Sequence, residues 1–121
     1  MRLLLAGVAF IFLGAVANAA DPLRIASFNT ELSRKGPGLL LRALQSGKDP
    51  AVDAVVQVIV QTAPDVLVLQ GFDWDHENRA LRALAAQLAK AGAEYPHLYS
   101  AQPNSGRATN LDLNGDGRLG G

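Results

Sequence analysis

Four branched apolar residues in a row, Val66-Leu67-Val68-Leu69, follow Pro64-Asp65 and run directly into Gln70-Gly71 and the acids Asp73 and Asp75. A short run with no polar member and β-branching at alternate positions predicts an interior strand covered on both faces. Gly71 permits a turn or a close approach of other backbone. The acids then fall just past the strand's C-terminal end, where open α/β sheets place their ligands. Leu23 to Asn29 repeats the pattern, with apolar Leu23, Ile25 and Phe28 giving way to polar Asn29 and Thr30. Two strands that release polar groups at the same end describe the rim of a site. The plainer alternative is that Asp73 and Asp75 only solvate a loop.

The segments between these strands read as helices. Leu39 to Gln45 predicts a short helix after the Gly36-Pro37-Gly38 breaker, closed by Gly47. Asp49-Pro50 is a helix start, an N-cap acid followed by proline at the first helical position. Val52, Val55, Val56, Ile59 and Val60 then recur at helical spacing over 51–62, before Pro64. Glu77 to Ala91 predicts the next helix, with Leu81, Leu84, Ala85, Leu88 and Ala91 on one face and Gly92 at its end. His97 to Ala101 reads as a third strand, and 102–121 as a loop rich in Gly, Asn and Asp. The alternation of strand and helix predicts an α/β layer structure. Three strands make a thin sheet whose edges need cover. A chain that reaches Gly120-Gly121 inside such a loop reads as the N-terminal part of a longer protein.

Residues 1–19 read as a signal peptide: Arg2, an apolar run from Leu3 to Val16, then Ala17-Asn18-Ala19 as the cleavage signal. Cleavage is expected after Ala19, with Ala20 as the second choice, leaving a domain over 20–121 and a secreted or periplasmic protein. Removing residues 1–20 takes away only Arg2 from 11 basic residues against 11 acidic ones, so the remainder has no excess of positive charge for sequence-independent DNA binding. A local basic patch could still oppose that total. With no cysteine, an exported form is held together without disulfides.

Leu23-Arg24-Ile25-Ala26-Ser27-Phe28-Asn29 resembles the opening strand of the endonuclease/exonuclease/phosphatase superfamily, which has the deoxyribonuclease-like fold. Pro64-Asp65-Val66-Leu67-Val68-Leu69-Gln70 is similar to that family's second strand motif, and helix 51–62 stands where the family has its helix. The resemblance spans 23–101. It implies the N-terminal portion of a layered α/β-sandwich, with helices packed outside β-sheets, and metal-assisted hydrolysis of a phosphodiester or phosphomonoester, nucleic acid being one candidate substrate. Mg²⁺ suits such a site, because it takes oxygen ligands, uses one or two carboxylates and keeps several waters. Asn29 matches the family's strand-end Asn, which implies a catalytic role in orienting substrate or the metal. Where the family has its metal-binding Glu, this chain has Gly71. Asp73 or Asp75 is then expected to supply the carboxylate from a shifted position; otherwise metal binds weakly or not at all. The resemblance places the general-base His and an Asp-x-Asn segment beyond Gly121, so this piece alone is expected to be inactive. His76 reads as a surface residue at a helix start, and His97 as structural.

Asp112-Leu113-Asn114-Gly115-Asp116-Gly117 fits the first half of a Ca²⁺ loop, with Asp112, Asn114 and Asp116 as oxygen ligands. No helical pattern precedes it, and an ion-free Gly/Asp turn is the alternative. Two functions therefore stand side by side: a secreted Mg²⁺-dependent phosphoesterase, and a non-catalytic secreted module that binds Ca²⁺ or a partner.

Overall fold

A computed structural model describes residues 20–104, 110–112 and 114–119. The expected signal peptide lies outside the described residues, as does part of the 102–121 loop. The described residues form a small mixed α/β structure of three helices and a two-stranded parallel sheet. Strand β1 (Ile25–Asn29) is followed by helices α1 (Leu39–Ser46) and α2 (Pro50–Thr62), strand β2 (Val66–Gln70), a 3₁₀ turn (His76–Asn78) and helix α3 (Arg79–Lys90). The strands run in register from Ile25 opposite Val66 to Asn29 opposite Gln70.

Local chemistry accounts for most of the boundaries. The Asp49 carboxylate caps α2, accepting from the backbone N–H groups of Ala51 at 2.9 Å and Val52 at 3.2 Å. At the other end of α2 the Arg24 guanidinium donates to the carbonyls of Thr62 (2.5 Å) and Ala63 (3.3 Å), a cation placed where the helix dipole is negative. The same residue ties the strand starts together. Its N–H donates to Asp65 Oδ2 at 2.7 Å, and its carbonyl accepts from Asp65 N at 2.8 Å. Helix α3 ends with Gly92 at φ 96° and with Ala93 N–H donating to the Leu88 carbonyl at 2.9 Å, the Schellman arrangement that only a residue free of a Cβ adopts cheaply.

The helix expected from Glu77 starts two residues later. Glu77 and Asn78 are left-handed (φ 63° and 54°), which breaks the helical path, and Arg79 is the first residue of α3. The core lies between the helices and one face of the sheet. Leu32, Leu40, Leu44, Val52, Val55, Ile59, Ala80, Leu84 and Leu88 are buried, and Phe28, Leu67 and Leu69 pack against them from the strands.

Two further expectations change. The Val66–Leu69 strand is covered on one face only: Ile25, Val66 and Val68 are 65%, 45% and 50% exposed, because all three helices lie on the other side. Residues 97–101 form no strand. They line, with β2 and α3, an apolar cleft of about 740 Å³, and that open space takes the place of a hydrogen-bonded ladder. Just ahead of this segment the Tyr95 hydroxyl donates to the Pro64 carbonyl at 2.8 Å. Burial pushes the Tyr95 phenol above its ordinary pKa, and the charge of Asp65 adds to the effect. Among the described residues no helix is long and apolar enough to cross a membrane.

Candidate functional site

Parallel pairing brings the C-terminal ends of β1 and β2 side by side, with Asn29 opposite Gln70. Both lie on the open face of the sheet, because residues alternate between faces along each strand. Beside them the Gln70 amide donates to Ser27 Oγ at 2.9 Å. One residue further on, Thr30 turns inward and is 7% exposed. Its N–H donates to the Gln70 carbonyl at 2.9 Å, and its hydroxyl lies 3.0 Å from the carbonyl oxygens of both Gln70 and Gly71. Thr30 therefore bolts the two departing loops together. The sequence signal for this was weak, since a threonine after a strand is ordinary.

Both loops leave through left-handed residues, Glu31 at φ 53° and Gly71 at φ 63°. Gly71 costs little there, whereas a non-glycine residue is held against a steric penalty. A Cβ on Gly71 would fall on Asn29 Oδ1 and lie 2.9 Å from Glu31 N. The carboxylate-bearing residue that the family resemblance leads one to expect at this position does not fit this backbone. Asn29 Oδ1 instead accepts a long hydrogen bond from Glu31 N, at 3.4 Å.

The next acids belong to a neighbouring cleft of about 710 Å³, whose lining includes Arg34, Lys35, Phe72, Asp73, Trp74 and Asp75. Asn29 does not line it. Asp73 Oδ2 accepts from Arg34 N at 2.9 Å, fixing the loop that follows β1. The Arg34 side chain continues that brace, donating to the Leu32 carbonyl and pairing with Asp49 Oδ2, both at 3.0 Å. The Arg34 hydrogen bond is the main reason that the Asp49 carboxyl sits below its usual pKa, with the Val52 amide next. Both Asp75 oxygens accept from Ala80 N, at 3.2 and 3.0 Å, so Asp75 closes the start of α3 across the left-handed pair. His76 and His97 are exposed.

In the Asp112 turn the carboxylates are occupied by backbone. Asp112 Oδ1 accepts from Gly115 N at 2.7 Å and Asp116 N at 3.1 Å, and Oδ2 accepts from Gly117 N at 2.8 Å. These amides, Gly117 foremost, hold the Asp112 carboxyl below its usual pKa. Asn114 Nδ2 donates to Asp116 Oδ2 at 3.1 Å. Among the described residues no three His, Cys, Asp or Glu side chains converge on a point that could hold a metal ion.

Comparison of the chain with protein-family models, with curated proteins and with solved structures found no match.

Proposed function

We propose that this protein is a secreted or periplasmic, metal-dependent phosphoesterase of the endonuclease/exonuclease/phosphatase type, hydrolysing a phosphodiester or phosphomonoester, with nucleic acid among its candidate substrates. The observation that carries the reading is the parallel, in-register pairing that sets Asn29 beside Gln70 at the C-terminal ends of neighbouring strands. That is the end at which α/β sheets collect ligands. The finer fold reading, the N-terminal portion of a layered α/β-sandwich, is supported by the apolar outer sheet face of Ile25, Val66 and Val68.

The donor chemistry fits Mg²⁺. Asn29 offers an amide oxygen at the strand end and Asp73 a carboxylate in the adjoining cleft, with Oδ2 engaged by Arg34 N. Asp75 is the poorer candidate, because both its oxygens close α3. Bound there, Mg²⁺ would polarise the phosphoryl oxygen. The test is a Mg²⁺ titration of phosphodiesterase and phosphomonoesterase activity in the secreted protein and in Asn29→Ala, Asp73→Asn and Asp75→Asn. Asn29→Ala and Asp73→Asn are expected to lower activity and raise the Mg²⁺ requirement; Asp75→Asn is expected to weaken α3 more than the chemistry. A full-length secreted protein inactive on every phosphate ester at all Mg²⁺ concentrations would overturn the reading.

A second reading, a non-catalytic module binding Ca²⁺ or a partner, is favoured by the turn in which Asp112 gathers the amides of Gly115, Asp116 and Gly117. Those bonds pre-shape the first half of a Ca²⁺ loop, and an ionised carboxylate retains further lone pairs beyond the ones they use. Calorimetric titration with Ca²⁺ decides its Ca²⁺-binding form, and absence of binding removes that form.

A further inference from the structure

We propose that residues 97–101 are a strap that closes the apolar cleft by adding to the free edge of β2 as a third, parallel strand, the structure showing its open form.

The edge of β2 is ready for a partner. In a parallel pair, alternate residues of a strand bond the neighbouring strand through their backbone groups. Val66 N donates to the Arg24 carbonyl at 3.2 Å, and the Gln70 carbonyl accepts from Thr30 N at 2.9 Å, so Val66, Val68 and Gln70 are the residues that bond β1. The N–H and C=O groups of Leu67 and Leu69 therefore point the other way, to the edge that has no strand beside it. Both residues are half-buried and line the cleft. Unpaired backbone groups along a sheet edge are a template for one more strand.

The strap already follows that edge. Just before it, the Tyr95 hydroxyl holds the Pro64 carbonyl ahead of β2. Just after it, Pro103 lines the cleft together with Phe72 and Asp73, past the end of β2. The stretches 95–103 and 64–72 are equal in length, so the strap matches β2 in direction and span. Helix α3 packs into the same core as α1 and α2, on the same face of the sheet, so the step from β2 to the strap keeps the hand of the step from β1 to β2.

The side chains suit the position as well. Residues alternate between faces along a strand, which puts Leu98 and Ser100 on one face and Tyr99 on the other. Ser100 is half-buried in the open form, which marks its face as the inner one. Closure carries Leu98, now 41% exposed, onto the apolar lining of Leu81, Leu84 and Leu88. Tyr99, now 89% exposed, joins the outer apolar face of Ile25, Val66 and Val68. Asp73, Trp74 and Pro103 line both clefts, so the seat of the strap is also a wall of the cleft that holds Asp73.

Native-state hydrogen exchange, read residue by residue by NMR, tests this in the intact chain and in Leu98→Pro and Tyr99→Pro. The amides of Val66, Val68 and Gln70 are the internal control, since β1 pairs them in both forms and their protection reports that each variant is folded. In the wild type, Leu67 and Leu69 are expected to be protected too, because closure gives their N–H groups carbonyl partners. Of two successive strand residues, one turns its N–H to the neighbouring strand, so at least one proline variant is expected to lose protection at Leu67 and Leu69 alone. Exchange at Leu67 and Leu69 as fast as in the loops of the wild type would overturn the proposal. So would protection that survives both prolines, or protection that grows with protein concentration, which would assign the edge to a second copy of the chain.

Discussion

Replacing Asp49 separates two roles that one carboxylate performs. Its Oδ1 caps α2 through Ala51 and Val52, and its Oδ2 pairs with Arg34, whose side chain is 25% exposed against 21% for Asp49. Loss of an N-cap costs about 1 kcal/mol. A partly exposed ion pair contributes roughly 0.2–1 kcal/mol. Asp49→Ala removes both and is expected to destabilise by about 1.5 kcal/mol. Asp49→Asn keeps an equally good cap and loses only the charge, so about 0.5 kcal/mol is expected. The pH dependence follows from the Asp49 carboxyl lying below its ordinary value in the folded protein. The unfolded chain then binds the proton more readily. The stability from the charged form is complete above the ordinary carboxylate range and disappears as pH falls through the lowered folded value. Wild type and Asp49→Asn should therefore differ at neutral pH and converge in acid. Urea unfolding followed by circular dichroism at several pH values is the assay. Equal losses in Asp49→Ala and Asp49→Asn, or a wild-type-to-Asn gap that stays constant into acid, would refute the reasoning.

Thr30→Val keeps the shape of a 7%-exposed side chain and strips the hydroxyl from the Gly71 carbonyl; about 1–3 kcal/mol should be lost in the same assay, and Thr30→Ser should recover most of it. Leu84, 1% exposed at the centre of the core, should cost about 2–5 kcal/mol when cut to alanine, against almost nothing for exposed Leu119→Ala. Mass spectrometry of exported protein should find an N-terminus at Ala20 or Asp21, and an intact Met1 on exported material would contradict the signal-peptide reading.

The elements legible in the sequence are those with local causes. Asp49-Pro50 marked the start of α2 because a capping acid and a proline act on backbone within one turn. The valine and isoleucine spacing marked its buried face, and Val52, Val55 and Ile59 are buried. The start of α3 was misplaced because the break at Glu77 and Asn78 carries no strong signal, neither residue being glycine or proline. The third strand was misplaced because pairing depends on a partner edge, and β2 presents its edge to an open cleft. The candidate acids were found by their distance along the chain from Gly71, but their bonds depend on loops separated in sequence. Asp73 reaches back to Arg34, and Asp75 reaches forward to Ala80.

The sequence by itself determined the alternation of strands and helices, the caps, the core-facing residues of α2, Leu84 and Leu88 of α3, and the glycine where a carboxylate was expected, because each is set by periodicity or by neighbours within a few residues; of the rest of the expected α3 face, Leu81 and Ala85 are only half-buried and Ala91 is exposed, while Ala80 is buried instead. Tertiary structure alone decided which polar groups meet. Parallel pairing put Asn29 opposite Gln70, and Thr30 then drew Gly71 against Glu31, residues 40 positions apart in the chain. No local pattern encodes such a contact, since it arises from hydrogen bonds between two strand ends that approach only after the helices have packed on the sheet.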